Sequence, residues 1–535
     1  MNQTHAQNRS LWIALSIFLI ITFFELIAIL LLNSGHFVFT LDDPYIHLAL
    51  AENILNGHYG INQNEFSAPS SSVLWPFIIV PFAHLQFAAY ALLVMNVAAA
   101  IGTMILFWKL LLPAYVNHSD EKNSFEKTLT LAAILTISIP AVNLVGLIYT
   151  GMEHSAQLFF STLIIYGLIY EIEYKKIPWW FIVAIVIAPL IRYECLALSL
   201  PSILFIYIRG YRAKSISVAS LLVCLLGAFA IFLNSLGLDS FPTSIIAKST
   251  VVSSGGGVRP ILEHFMRNLI LARCIFLIAG MLCLVYYALN KKLKKELRLL
   301  AFVISISVFM HLLVGRYGGH NRYEIYIWSS LILTLLYLNK NWIYQLPKKI
   351  GFYKMVTLMI CLSGIFCAPY FIALITIPLA SNNIYEQQYQ MHIFATEYNK
   401  PVAVNDLGYV SYQNNNYVLD LVGLASIDAL RLRISDDTSG WMATATQDKD
   451  VELVMIYDEW FKDIPNDWKK LGKLWLGKRR ISPSESSVSF YAIGCKPYTD
   501  ISQLIEKFST TLPKGVVFEI APNNCINTDK LKHGS

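Results

Sequence analysis

The chain has 535 residues, 56% of them hydrophobic and only 14% charged, with a mean hydropathy of +0.52. That balance excludes an ordinary soluble enzyme and places the chain among integral membrane proteins. The formal net charge of +6 comes from lysines and arginines flanking the apolar runs, so it reads as a topology signal and not as a nucleic-acid footprint.

The first apolar run, Leu11 to Leu32, is too long for a signal-peptide core and lacks a small-residue cleavage site, so it is expected to be an uncleaved span. Further spans are expected at about 87–112, 128–148, 156–172, 177–191, 195–208, 216–236, 267–290, 299–315, 323–338 and 355–378, about 11 transmembrane helices in all. The pair 177–191 and 195–208 is short and also fits a re-entrant hairpin. Basic residues gather on alternate connections: Arg9, Lys122, Lys127, Lys175, Lys176, Arg209, Arg212, Lys214 and the run Lys291 to Arg298. The loop from Asn33 to Gln86 contains no lysine or arginine. The N-terminus is therefore expected to be cytoplasmic, and everything after about residue 380 extracytoplasmic. No internal repeat is visible, which weakens an inverted-repeat transporter reading.

After residue 380 the chain acquires polar punctuation and short strand-like runs: Val402 to Val404, Tyr417 to Leu419, Val451 to Ile456 and Val488 to Ile493. Helices and turns are expected between them, including Pro465 to Leu471. The division is a transmembrane domain over 1–380, with a first external loop at 34–86, and a small exported α/β domain over 381–535. Cys495 and Cys525 are the only cysteines in the tail, and an oxidising exterior permits a disulfide between them.

The chemistry lies in the loops expected outside. The first carries Asp42, Asp43, His47, Glu52, His58 and Glu65. Adjacent carboxylates beside a membrane are costly to desolvate and are seldom needed for packing. Asp43 before Pro44 also fits a helix N-cap, a role that leaves Asp42 unaccounted for. Later loops bring Glu153 and His154, then Arg192 and Glu194, then Lys248 with Gly255 to Gly257, then Arg316, His320, Arg322 and Glu324. Carboxylates able to take a proton from a hydroxyl, beside cations able to hold a phosphate, suit group transfer from a lipid-linked phosphate. His47, His58 and His154 have no spacing that suggests zinc. Asp42, Asp43, Glu65 and Glu153 are candidate oxygen ligands for a divalent cation (Mg, Mn or Ca), a requirement the sequence leaves open.

These residues fall in recognisable blocks. Asp42-Asp-Pro-Tyr-Ile-His47 with Ala51-Glu-Asn-Ile-Leu-Asn-Gly-His58 resembles the opening external loop of GT-C superfamily glycosyltransferases, in particular the bacterial arabinofuranosyltransferase and mannosyltransferase-like members. Ser71-Ser-Val-Leu-Trp75, Gly151-Met-Glu153, Arg192-Tyr-Glu194, Ala247-Lys248 and Arg322-Tyr323 are similar to later motifs of that family, in the same order. Val404-Asn-Asp-Leu-Gly408 and Asp420-Leu-Val-Gly423 are similar to the start of its soluble tail. The resemblance covers residues 1 to about 425; Val73, His154 and Tyr193 depart from it.

The resemblance implies a GT-C-like membrane α-helical bundle and an inverting transferase that takes a monosaccharide from a polyprenyl-phosphate carrier. The acceptor would be a glycan, lipid or protein of the cell envelope, at the outer face of a bacterial cytoplasmic membrane. It further implies that Asp42 or Asp43 is the general base, that Lys248, Arg192 and Arg322 hold the donor phosphate, and that Tyr45, His47, Glu153 and Glu194 contact substrate. Membrane lipids are expected partners and nucleic acid is not. A flippase for a lipid-linked glycan and a non-enzymatic envelope scaffold are the alternatives; the first would place its charges mid-span, and the second leaves the Asp-Asp loop unexplained.

Overall fold

The computed structural model describes residues 2–116, 124–248, 258–269, 271–434, 440–523 and 525. Lys122 and Gly255 to Gly257 lie outside the described residues. Among the described residues, five helices are long and apolar enough to cross a membrane: Asn8–Leu32, Ala88–Pro113, His154–Tyr174, Arg212–Ser235 and Lys295–Val314. Two bent pairs raise the number to seven if each pair is one span.

Several of the eleven expected spans are short or broken helices among the described residues, and these departures have local causes. The apolar stretch expected at 128–148 is two helices, Ser124–Ala141 and Leu144–Tyr149, broken where Pro140 precedes a left-handed Asn143. The stretch at 355–378 breaks after Phe366, because Pro369 has no N–H to continue the ladder; the next helix leaves at 81°. Trp179–Ile191, Leu196–Ile208 and Ile325–Leu338 have 13, 13 and 14 residues. At 1.5 Å per residue each is about 20 Å long, short of the roughly 30 Å hydrocarbon layer. The first two are joined by Arg192 in extended conformation and a single 3-10 turn at Tyr193–Cys195.

The tail is entered by helices Ala368–Glu386 and Gln388–Tyr398, and forms a six-stranded mixed sheet. Its strands are β1 (Val402–Val404), β2 (Val418–Asp420), β3 (Leu453–Ile456), β4 (Trp468–Trp475), β5 (Ser487–Ile493) and β6 (Val517–Ile520), in spatial order β2-β1-β3-β5-β4-β6. β2, β1 and β3 are parallel; the remaining pairs are antiparallel. β1, β2 and β3 are buried along their whole length, as parallel strands covered on both faces must be.

One face packs on helices Gln388–Tyr398 and Cys495–Ser509, where Phe394 meets Phe490 and Phe508 with ring centroids 5.4 and 5.0 Å apart. The other face carries its own cluster, including Leu419, Met442, Val454 and Ile456. Pro465 to Leu471, expected as helix or turn, is a turn closed by Trp468 N–H on Pro465 C=O that opens directly into β4. Lys469, Lys470 and Lys473 hide the strand's apolar alternation, and a bulge between Lys470 and Gly472 breaks its period. Cys495 and Cys525 form a disulfide, Cα atoms 5.5 Å apart, tying the last helix to the end of the chain.

Candidate active site at the bundle–domain seam

Helix Asp43–Leu55 begins at the Asp-Asp pair, with Pro44 in its first turn. Neither carboxylate behaves as a simple cap: Asp42 stands at the N-cap position without a side-chain cap bond. Its Oδ2 and Oδ1 instead accept the backbone N–H groups of Gly408 (2.7 Å) and Tyr409 (2.8 Å) in the tail. Asp42 thus joins the first loop to the tail's sheet domain. Tyr45, one turn on, is buried with its ring centroid 3.9 Å from that of Tyr409, and its hydroxyl accepts Phe39 N–H. It packs the seam between loop and tail.

Asp406 completes an acidic cluster. It accepts from Tyr457 Oη (2.7 Å) and Gln388 Nε2 (2.9 Å) and lies within electrostatic reach of Asp42 and Asp43. Burial, then the charge of Asp406, pushes the Asp42 carboxyl well above its ordinary value, against the two backbone N–H bonds. Burial raises Asp406 as well, and the charge of Asp43 adds to it. The sequence showed Asp406 only as one letter of the Val404–Gly408 block; its signal was an aspartate two residues before a glycine at the mouth of a buried strand.

Asp43 has a different partner. Its Oδ2 accepts from Arg322 Nη2 at 2.5 Å. Arg322 is only 5% exposed, yet its Nε and Nη1 have no hydrogen-bond acceptor among the described residues. A buried guanidinium with two unspent donors has the chemistry to take an anion. Tyr323 gathers the cations around it: Arg192, Arg316 and Arg322 lie over its ring at 5.5, 5.1 and 5.1 Å. Arg316 is exposed. His154, 1% exposed, sits 5.8 Å from the Tyr323 ring, and neither of its ring nitrogens has a partner among the described residues.

Arg192, expected on a phosphate, is committed elsewhere. Nη1 donates to Glu153 Oε1 (2.6 Å), while Nε and Nη2 grip both oxygens of Glu194 at 3.0 and 2.5 Å. Glu153 is fully buried, and its other oxygen lies 3.6 Å from His47 Nε2. Glu153, Glu194 and His47 are therefore parts of one internal network that links helix Asp43–Leu55 to the turns at 151–153 and 192–194. Gly151 shapes the first of those turns: its φ is +68°, and a Cβ there would lie 2.7 Å from the Phe39 ring. Lys248 ends helix Thr243–Lys248, and its side chain lies outside the described residues.

The four carboxylates expected to bind a divalent cation do not converge. Glu65 accepts from Tyr417 Oη at 2.5 Å, Glu153 faces Arg192, and only Asp42 and Asp43 are neighbours. Among the described residues no group of three or more His, Cys, Asp or Glu side chains is arranged to hold a metal.

Residues 382–499 match a family model described as a domain of unknown function (DUF8728). No curated protein matches the chain. Among solved structures, the chain is similar to the Archaeoglobus fulgidus oligosaccharyltransferase, crystallised in complex with zinc and sulfate, at 12% identity and a TM-score of 0.42. That alignment covers 94% of this chain and 75% of the other.

Proposed function

We propose that the chain is an inverting glycosyltransferase that moves a monosaccharide from a polyprenyl-phosphate carrier to an acceptor hydroxyl at the extracytoplasmic face of a bacterial cytoplasmic membrane. The observation that carries this reading is the pairing, at one helix N-terminus, of a carboxyl with raised proton affinity and a buried arginine with two unspent donors. The long apolar helices supply the setting in which a lipid-linked donor would be presented.

In this reading Asp42 is the base. A carboxyl pushed upward works nearer neutral pH than an ordinary aspartate, and its two backbone donors fix its direction. The acceptor oxygen attacks the anomeric carbon as its proton passes to Asp42. The bond from that carbon to the phosphate oxygen breaks, and polyprenyl phosphate leaves as an anion without needing a proton. Arg322 receives that anion through Nε and Nη1 while Asp43 holds Nη2, and exposed Arg316 adds charge at the rim. Asp406 sustains the proton affinity of Asp42. Glu153, Arg192, Glu194 and His47 hold the turns in place; no step passes through a metal.

The test is polyprenyl phosphate release by the purified protein in lipid nanodiscs, using a panel of polyprenyl-phospho-hexoses and -pentoses with cell-envelope extract as acceptor. Wild type releases it; Asp42→Asn and Arg322→Ala, still folded, release it at least about a hundredfold more slowly. Movement of donor across the bilayer with no release from any donor sinks the reading in favour of a flippase. Neither release nor movement leaves a scaffold.

A further inference from the structure

A groove of about 420 Å³ runs between helix Asp43–Leu55 with its following loop and the tail segment 411–417. Its lining is unusual in chemistry: of fifteen residues, seven are asparagine and two are glutamine. No lysine or arginine lines it, Glu52 is its one carboxylate, and Ala49 and Ile61 are its only aliphatic side chains.

The amides divide into two sets. Some build the walls: Asn62 donates to Val418 C=O (3.0 Å) and accepts Val418 N–H (2.9 Å), and Asn53 donates to the carbonyls of Gly60 and Ile61 at 2.8 and 2.7 Å. The others face outward. Asn56, Gln63, Asn64 and Asn415 are exposed, and their side chains make no hydrogen bond among the described residues. Fixed walls carrying unspent amides are a built polar surface.

We infer that this groove binds a neutral oligosaccharide whose end reaches the Asp42 site. Each amide offers two donors and an acceptor, the mixture that sugar hydroxyl and acetamido groups satisfy. A phosphorylated ligand would want lysines or arginines in the lining, which has none; His84 is its one basic side chain. A lipid chain or helical peptide would want an apolar trough, which is also missing. Tyr417, held by its hydroxyl on Glu65 and flanked by Lys449 5.2 Å from its ring centroid, supplies an aromatic surface, and the His84 ring is the other in the lining.

The groove shares two elements with the site. Ser411 lines it and ends the short helix whose first residue, Gly408, donates to Asp42. On the opposite wall Glu52 lies nine residues beyond Asp43 on the same helix, about 14 Å along its axis. Naming the saccharide as the acceptor rests on the proposed sugar transfer; its binding does not.

The experiment is saturation-transfer NMR on the full-length protein in nanodiscs with three neutral probes: maltohexaose, chitohexaose and mannohexaose. At least one binds wild type, and added salt does not weaken it. The double variant Gln63→Ala/Asn64→Ala and the variant Asn415→Ala each weaken binding about tenfold, the scale of one or two lost hydrogen bonds, at unchanged melting temperature. Binding of no probe, or binding indifferent to the groove variants, overturns the inference even where donor turnover stands. Groove-dependent binding without donor turnover keeps the saccharide site and sinks sugar transfer.

Discussion

Asp43 and Arg322 stand 279 positions apart in the chain and meet at 2.5 Å, with the arginine buried and two of its donors facing no acceptor among the described residues. A phosphate anion would complete this arginine, which gives two measurable consequences. Arg322→Ala is expected to lower kcat/KM for the donor about a hundredfold, the usual loss for one charge-stabilising donor at a reacting phosphate. Arg322→Lys keeps the charge and loses the fork, so its deficit falls in donor KM. Asp43→Asn leaves the arginine without a counter-charge and costs about 2 kcal/mol of stability. A polyprenyl phosphate ligand should then raise the melting temperature of Asp43→Asn more than that of wild type. Equal shifts in the two proteins refute phosphate capture by Arg322.

The proton affinity of Asp42 is raised by burial and by Asp406, so sugar transfer should switch on with rising pH through a midpoint above the ordinary carboxylate range. The sign follows from the base being active only when ionised. Asp406→Asn removes a neighbouring negative charge, eases ionisation of Asp42, and should move the acid limb about one unit lower. The kcat/KM profile of the two proteins decides this; an unmoved or raised limb in Asp406→Asn excludes Asp42 as the base.

Arg192 shows where residue type alone misleads. An arginine in an external turn suggests a phosphate ligand, yet every nitrogen of this one faces Glu153 or Glu194. Arg192→Met leaves Glu153 buried and uncompensated, and is expected to cost about 3–5 kcal/mol in chemical denaturation. The milder Glu194→Gln should lower stability while leaving donor KM near that of wild type. A variant of normal stability with a large rise in donor KM reverses this assignment.

What could be read in advance follows the physics of each feature. Adjacent carboxylates, a glycine before Met152-Glu153 and a basic residue beside Tyr323 are local facts, and all of them lie near the seam. Partner choice is not local. Whether Arg192 or Arg322 keeps free donors depends on how helices pack hundreds of residues apart, and nothing in either local sequence distinguishes them. Helix breaks escape the sequence for a related reason: apolar content averaged over a window passes smoothly through Pro140–Asn143 and Cys367–Pro369, where the backbone turns. The strand β4 was hidden by three lysines.

Gly408 offers the most direct test of the seam between loop and tail. Its N–H is 2.7 Å from Asp42 Oδ2, and a Cβ built on it would lie 2.1 Å from the Asp42 carbonyl oxygen and 2.6 Å from Oδ2. The carbonyl oxygen belongs to the backbone and cannot swing aside. Gly408→Ala must therefore part the tail segment from the first loop, while the cluster of Leu419, Met442, Val454 and Ile456 on the sheet's other face stays packed. Transfer should fall about a hundredfold, as misplacement of a reacting group by about 1 Å commonly costs. Loss of the two backbone donors also makes ionised Asp42 less favourable, so the residual activity should have its acid limb at higher pH, opposite in sign to Asp406→Asn. Wild-type turnover with an unshifted profile in Gly408→Ala shows that the tail does not position Asp42.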